Sequence, residues 1–592
     1  MVVTPSEVEP ADSGPFERWL SGAALILILL ALMIRVPLLF NTRLGNDEAE
    51  HLHATWAVAH GQVPYRDFWQ IHTPLLYYLM APAFLMLGED LRIIYVGRGL
   101  MLLCILLMLL QLYTIARACF DALTGLLAVL ALSYLLLWWR PTYEFRPDIP
   151  QTLIVLTSLR RFMQAWHRRS RGEFLASGAL LGGAFWLLTK TLFPLAGLTS
   201  VFVLSSALRR SAAAIRQNLT GLLLFLAAFA APVALGGLLL WLAGALPNFL
   251  RWGVLNAFRY PDRFSALSRM DLEVHFVFFA LALVGILLTV ARMIRTRIVD
   301  EIRLSPLLVC SVTATVYLFL MPAPFPQSAL PFLPLAAMYG GHVVRQALGR
   351  ALPPSPSAPA VPGEAATPFV RSPVRLGWAV LTALLFYGVC VPPLQALLAK
   401  MPLLQDHWLD RRRTIRHVLA LTSPDDSVFD AAGLYIFRPH ATYFYRLAKG
   451  HLRWLQSGFI NESEIINDLQ RNHCKVVIFE FAQDDVGLPP KLLRFLLRHY
   501  VFTGFRTEGG VVLVAGQVLH PAGLASNRGT VSLVASAEYA VRPRGGTPRV
   551  YIDGQLYKKP LFLTQGAHQI VVEGDYQEIA ILYSRAVEFP IQ

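Results

Sequence analysis

Two acidic stretches of this chain hold the residue types that could do chemistry. The first is Asn46-Asp47-Glu48-Ala49-Glu50-His51-Leu52-His53, followed by a segment running from Gly61 through Tyr65, Asp67 and His72 to Pro74. The second is Arg140-Pro141-Thr142-Tyr143-Glu144-Phe145-Arg146-Pro147-Asp148. Each adjoins an apolar run, and a carboxylate at such a boundary works in a lowered dielectric that can tune it as a general base or a cation ligand. Asp47, Glu48 and Asp148 are therefore the candidate catalytic carboxylates, and Asp47 with Glu48 is the candidate site for a divalent cation (Mg, Mn or Zn). The competing reading is local structure. Asn46 or Asp47 would cap a helix over 48–60 whose dipole favours Glu48 and Glu50, and Asp148 after Pro147 would open another helix. His51 and His53, two apart, point to different helix faces. The H-E-x-x-H spacing of a zinc pair is absent.

A third feature is Thr189-Lys190-Thr191, which interrupts a long apolar stretch. A lysine there either snorkels to a membrane interface or holds a phosphate as a point charge. Arg251, Arg259 and Arg263, with Tyr260, offer further phosphate contacts, and anionic lipid head groups are the alternative partner. The turn Pro322–Gln327 leads into another apolar run, and Gly433–Pro439 reads as a conformationally specific loop.

These residues have to be positioned by membrane helices. Of 592 residues 55% are hydrophobic and 15% charged, with mean hydropathy +0.49. A soluble protein carries about 25% charged residues, so a soluble enzyme, a disordered chain and a small disulfide scaffold are excluded. A span needs about 20 apolar residues. Eleven candidates lie near 20–40, 94–116, 121–140, 148–166, 172–189, 190–208, 218–243, 274–292, 304–321, 328–347 and 375–398. Pro74–Gly88 is too short, and fits an interfacial or re-entrant segment.

Only seven of the 52 basic residues are Lys. Arginine-rich connectors fall at Arg160–Arg171, Arg209–Arg216, Arg292–Arg303 and Arg345–Arg350. Positive connectors favour the cytoplasm. With 74–88 not spanning, all four share that side, which puts the N-terminus inside and the C-terminal region outside. The net charge of +14 then belongs to loops and calls for no nucleic acid. Asp47 and Asp148 both fall on outer loops. The five cysteines are scattered with no CxxC pair.

The expected divisions are a cytoplasmic tail at 1–19, a membrane module at 20–350 and a Pro/Ala-rich linker at 351–374. A last span at 375–398 follows, then an extracytoplasmic α/β domain at 399–518 and a small β-sandwich at 519–592. Lys475–Phe481 and Val511–Ala515 read as buried strands, and Asp553-Gly554 as a turn between strands.

A first span followed by Asp47-Glu48-Ala49-Glu50-His51, a Gly-x-x-Pro-Tyr segment and Thr73-Pro74 resembles the polyprenyl-phosphate-dependent membrane glycosyltransferases. The similarity is greatest to the lipid A aminoarabinose transferase and protein mannosyltransferase group, which has the GT-C fold. Arg146-Pro147-Asp148, Thr189-Lys190 and the Pro324-Phe325-Pro326-Gln327 turn fit the same pattern in the same order. The resemblance covers residues 20–350, and its specificity lies in the order of short motifs.

It implies a polytopic GT-C-like protein in a bacterial inner membrane, with an interfacial segment after the first loop. It implies transfer of a sugar from a polyprenyl-phosphate donor to a lipid, glycan or protein acceptor at the periplasmic face, with inversion and no nucleotide cofactor. Asp47 matches the catalytic acidic residue of the first loop, with Glu48 beside it, and Asp148 matches the assisting one. Lys190 matches the position near the donor phosphate, with Arg146, Arg259 and His72 as further phosphate contacts. Where some relatives carry a Lys before the proline at position 74, this chain has His72-Thr73, and His72 serves that role only when protonated. A transporter or flippase for a lipid-linked or anionic substrate is the competing class. A non-catalytic scaffold is a third, and it gives no reason for carboxylates on two outer loops.

Overall fold

The computed structural model describes residues 15–255, 263–298, 300–351, 373–400 and 409–588, apart from 432, 448, 480–486, 508–509 and 522–526. Helices dominate the first 400 residues. In chain order they are α1 (Pro15–Asn41), α2 (Asn46–Ala59), α3 (Leu75–Leu87), α4 (Arg92–Cys119), α5 (Ala122–Tyr134), α6 (Leu136–Tyr143) and α7 (Asp148–Arg168). Then follow α8 (Arg171–Phe185), α9 (Leu192–Arg209), α10 (Ala212–Leu242), the one-turn α11 (Leu246–Asn248), α12 (Leu272–Thr296), α13 (Glu301–Thr315), α14 (Leu333–Ala351) and α15 (Pro373–Lys400). Side chains fix several starts: Asp121 accepts from the Thr124 amide, Ser170 from Glu173, and Asp300 from Ile302 and Arg303.

Among the described residues seven helices are long and apolar enough to cross a membrane: 17–41, 92–119, 189–209, 212–242, 272–296, 301–320 and 376–396. The sequence led us to expect eleven. The other four segments are helical but differ in kind. The run at 121–140 breaks at Leu135, whose extended backbone ends α5 after 13 residues. Over 172–189 the helix α8 closes at Phe185 after 15. Both α7 and the 19-residue α14 bury many of their residues inside the protein. A helix sheathed by other helices needs less apolar surface than one facing lipid. By contrast α1 exposes Leu25, Ile26, Leu29 and Met33, as a lipid-facing helix does. Between Pro74 and Gly88 (φ 62°), α3 has 13 residues, too few to span.

The chain divides into two compact units. One comprises residues 1–41, 96–238 and 263–405, the other 42–95, 239–262 and 406–592. In the first, Leu123 and Leu127 of α5, Leu281 of α12, Val344 and Leu348 of α14 and Val389 of α15 form an apolar core.

The second unit adds α16 (Leu409–Leu421), α17 (Lys449–Gln456), α18 (Glu462–Arg471) and α19 (Pro490–His499). Its strands are β1 (Val428–Asp430), β2 (Val476–Phe479), β3 (Tyr500–Thr507), β4 (Gly510–Leu519), β5 (Arg528–Leu533) and β6 (Ala537–Arg544). They continue with β7 (Arg549–Ile552), β8 (Gln555–Leu556), β9 (Leu561–Leu563), β10 (Gly566–Glu573) and β11 (Glu578–Tyr583). One sheet runs β1-β2-β4-β11-β6-β9 with β3 also on β4, and a second runs β5-β10-β7-β8.

Only β1 and β2 are parallel in the first sheet, joined through α17 and α18, and β2 is buried throughout as its Val-Val-Ile-Phe run requires. The β4–β11 pairing (Gly516 opposite Leu582) carries that sheet across residue 519. Asp553 and Gly554, both at positive φ, make the tight β7–β8 hairpin.

Candidate active site

In the second unit the first loop and the C-terminal region pack together. Helix α2 begins after Gly45, whose extended backbone is the cap, so neither Asn46 nor Asp47 caps a helix starting at 48. Asn46 instead accepts from Arg411. Asp47 and Glu48 lie in the first turn, where the helix dipole favours them. Every residue from Glu48 to Val58 is buried, while the Asp47 side chain is 43% exposed. Arg446 donates through Nη2 to Asp47 Oδ1 at 3.0 Å and through Nη1 to Glu50. Burial opposes the Arg446 charge, but Glu50 and then Asp47 outweigh it and raise its pKa.

The histidines around α2 serve packing and hydrogen bonding. His53 Nδ1 meets the Ile436 carbonyl at 2.7 Å and His53 Nε2 meets His440 Nδ1 at 3.4 Å. Burial, then His440, pushes the His53 pKa down to about 3. His51 Nδ1 lies 3.0 Å from the Tyr77 hydroxyl, and the His72 ring is 5.0 Å from that of His51. Trp69 donates its amide to the Tyr443 carbonyl at 2.9 Å, and the Tyr65 carbonyl accepts from Tyr443 and Asn248. Glu50, His53, Asp430, Arg438, Tyr445 and Arg446 help line a small cavity of about 10 Å³. The Gly433–Pro439 loop thus finds its place as one wall of this cavity.

In the first unit the three expected motifs converge. Arg146 lies between two carboxylates, 3.1 Å from Glu144 and 3.4 Å from Asp148. Asp148 opens α7 beside Pro147, and its Oδ1 is 3.6 Å from Lys190 Nζ. Lys190 donates to Ser328 Oγ at 2.8 Å, and Gln151 donates to Thr191. Arg-Pro-Asp, Thr-Lys and the turn after Pro326 therefore build one network of two cations and two carboxylates. Phe145 packs closely on α4: its ring stands 3.1 Å from where a Cβ on Gly97 would be.

Glu144, Arg146 and Asp148 are all buried, so their charges depend on one another. Arg146→Met should cost about 3–5 kcal/mol, the effect of removing one partner from a buried pair. Thermal unfolding in detergent checks this, and Arg146→Met combined with Glu144→Gln should recover part of the loss.

Arg259 lies outside the described residues. Sequence reasoning passed over Arg446 as the partner of Asp47 and Glu50, and also two buried arginines of the first unit. Arg35 packs 4.2 Å over the Trp139 ring, and Arg98 donates to the Leu39 carbonyl at 2.8 Å. An arginine inside an apolar run is functional by default expectation, and that signal was available for both.

Among the described residues no group of three or more His, Cys, Asp or Glu could hold a metal ion. Asp47 and Glu50 share a guanidinium, and Glu48 is fully buried. This donor set does not fit the expected cation site.

The architecture is the GT-C fold of membrane glycosyltransferases. ArnT from Cupriavidus metallidurans in the apo state superposes with a TM-score of 0.54 at 16% identity, covering 83% of this chain and 98% of that one. The same protein bound to undecaprenyl phosphate gives 0.51 at 15% identity, covering 84% and 97%. The Archaeoglobus fulgidus oligosaccharyltransferase in the apo form gives 0.53 at 13% identity, covering 95% and 94%. Residues 71–235 match the sequence model of the family described as dolichyl-phosphate-mannose-protein mannosyltransferase. No curated protein sequence matches the chain.

Proposed function

We propose that the protein is an integral-membrane glycosyltransferase that moves a sugar from a polyprenyl-phosphate donor to an acceptor at the outer face of a bacterial inner membrane. The observation that carries this reading is the Asp148–Arg146–Lys190–Ser328 network. Three motifs far apart in sequence meet there, in a fold shared with a protein solved with undecaprenyl phosphate. The family matched by residues 71–235 bears a lipid-phosphate sugar in its description, which supports a donor of that class.

The chemistry needs few parts. Asp47, exposed at the start of α2, takes the proton of the acceptor hydroxyl. The acceptor oxygen bonds to the anomeric carbon as the bond from that carbon to the phosphate oxygen breaks. The electron pair leaves on the phosphate, and a single displacement inverts the centre. In the first unit Lys190 and Arg146, the phosphate contacts that the resemblance implies, favour a bound phosphate by charge, and Asp148 keeps Lys190 oriented. The acceptor is a lipid, a glycan or a protein, and no step uses a nucleotide.

The test is transfer of labelled sugar from a polyprenyl-phosphate donor by purified protein, with membrane lipid extract as acceptor, with and without divalent cation. Lys190→Met should lower the rate by about 10²–10³-fold, the usual effect of removing one group that stabilises developing charge. Movement of the donor across a vesicle membrane without sugar transfer would favour the flippase instead.

A further inference from the structure

We infer that Arg446 is a positioning residue for the Asp47 carboxylate, so that the C-terminal domain holds the first-loop base in place and in charge. The inference rests on Asp47 being that base. Asp47 and Glu50 are three apart on α2 and so share a face. One planar guanidinium spans them, a geometry for which arginine is suited and lysine is not. The two carboxylates are unequal: the Glu50 side chain is 8% exposed and the Asp47 side chain 43%. Glu50 therefore anchors Arg446 in the interior, and Arg446 presents its second nitrogen to the carboxylate that solvent reaches.

The C-terminal domain is shaped to keep Arg446 there. Gly433 has φ 67°, and a Cβ at that position would stand 2.9 Å from Arg446 Nε. The turn carrying this glycine is tied down by Asp430, whose Oδ2 accepts from the Leu434 and Tyr435 amides at 2.7 and 2.8 Å. A bare backbone thus forms the bed for the arginine stem, and the Gly433–Pro439 loop gains a purpose. A cation between two first-loop carboxylates does what a metal ion would do there, namely neutralise and orient them.

The experiment needs neither sugar nor acceptor. Protonated carboxyls react with a carbodiimide, so labelling of residue 47 in the full-length protein in detergent, followed by mass spectrometry against pH, reads its ionisation. In the double variant Arg446→Leu, Glu50→Gln no buried charge is left unpaired. Its half-labelling pH should rise by about one to three units, the range over which a neighbouring arginine acts on an aspartate. Arg446→Lys, which replaces the planar fork by a single point charge on a flexible stem, should move it in the same direction by less, and serves if the double variant does not fold. Gly433→Ala should also raise it, with no charge changed.

A half-labelling pH unmoved in the folded double variant, or in Arg446→Lys where only that folds, overturns the inference. If Asp47→Asn retains transfer, the assignment of Asp47 as base falls, while the labelling shift still reports the pairing. If Asp47→Asn abolishes transfer and labelling does not move, only the role of Arg446 falls.

Discussion

Asp47→Asn should lower sugar transfer by about 10²–10⁴-fold, the contribution of a positioned general base, and leave the protein folded. The amide keeps the shape of the carboxylate and an oxygen for Arg446, but it cannot take up the acceptor proton. Stability should change little because Asp47 is the exposed member of its trio, and Arg446 retains Glu50. Asp148→Asn differs in kind. Asp148 is 2% exposed and faces both Arg146 and Lys190, so losing its charge unbalances a buried network and should lower melting temperature as well as rate. Comparing the two variants separates chemistry from support: the first should lose rate alone, the second rate and stability together. Transfer rates and melting curves on the same detergent preparation give both readings. Undiminished rates in both variants would remove the catalytic assignment altogether.

How much of this was legible in the sequence depends on distance along the chain. Asp148 stands at a helix start beside proline, and Thr189-Lys190 breaks an apolar run. Both signals are local, and the structure joins them through Lys190 and Asp148. The brevity of 74–88 was legible for the same reason, since helix length sets what can span. The Arg446–Glu50 pair was not legible, because its members are 396 residues apart and an arginine in a loop carries no mark of its partner. The expected span at 121–140 is interrupted at Leu135, with no Gly or Pro within five residues to signal the break. Apolar periodicity also cannot separate a helix facing lipid from one sheathed by protein, and so α7, α8 and α14 were counted with the lipid-facing spans. The β-rich character of residues 519–592 and the turn at Asp553-Gly554 were readable, but β6 and β11 were not singled out. That one sheet continues across residue 519 depended on the β4–β11 pairing, which local pattern does not specify.

Acidification should destabilise the second unit well before its carboxylates titrate. Burial of several histidines is responsible: His440 and His417 are held down to about 4, and two others lower still. His53 gives its ring to the Ile436 carbonyl and to His440. His451 has Trp69 edge-on at 4.1 Å, with Phe444 and Trp454 beyond, and its ring nitrogens meet no hydrogen-bond partner among the described residues. Burial, and then Arg446, pushes His451 down to about 3, as burial and His440 do for His53. An unfolded histidine titrates near 6.5, so below that pH the unfolded chain binds protons that the folded chain refuses. The stability these neutral rings preserve is complete above about pH 6.5 and is lost as pH falls toward their folded values. Each contributes a slope of about 1.4 kcal/mol per pH unit. Between about pH 6.5 and 5 the pair should therefore remove about 3 kcal/mol, a large part of the 5–15 kcal/mol that holds a typical domain together. Tryptophan fluorescence reads this loss locally, because Trp69 and Trp454 pack on His451. His451→Phe keeps an aromatic ring in the box and removes the proton site, so the slope of unfolding free energy against pH should fall by about one proton. An equal slope in wild type and His451→Phe would mean that this histidine does not set the acid sensitivity.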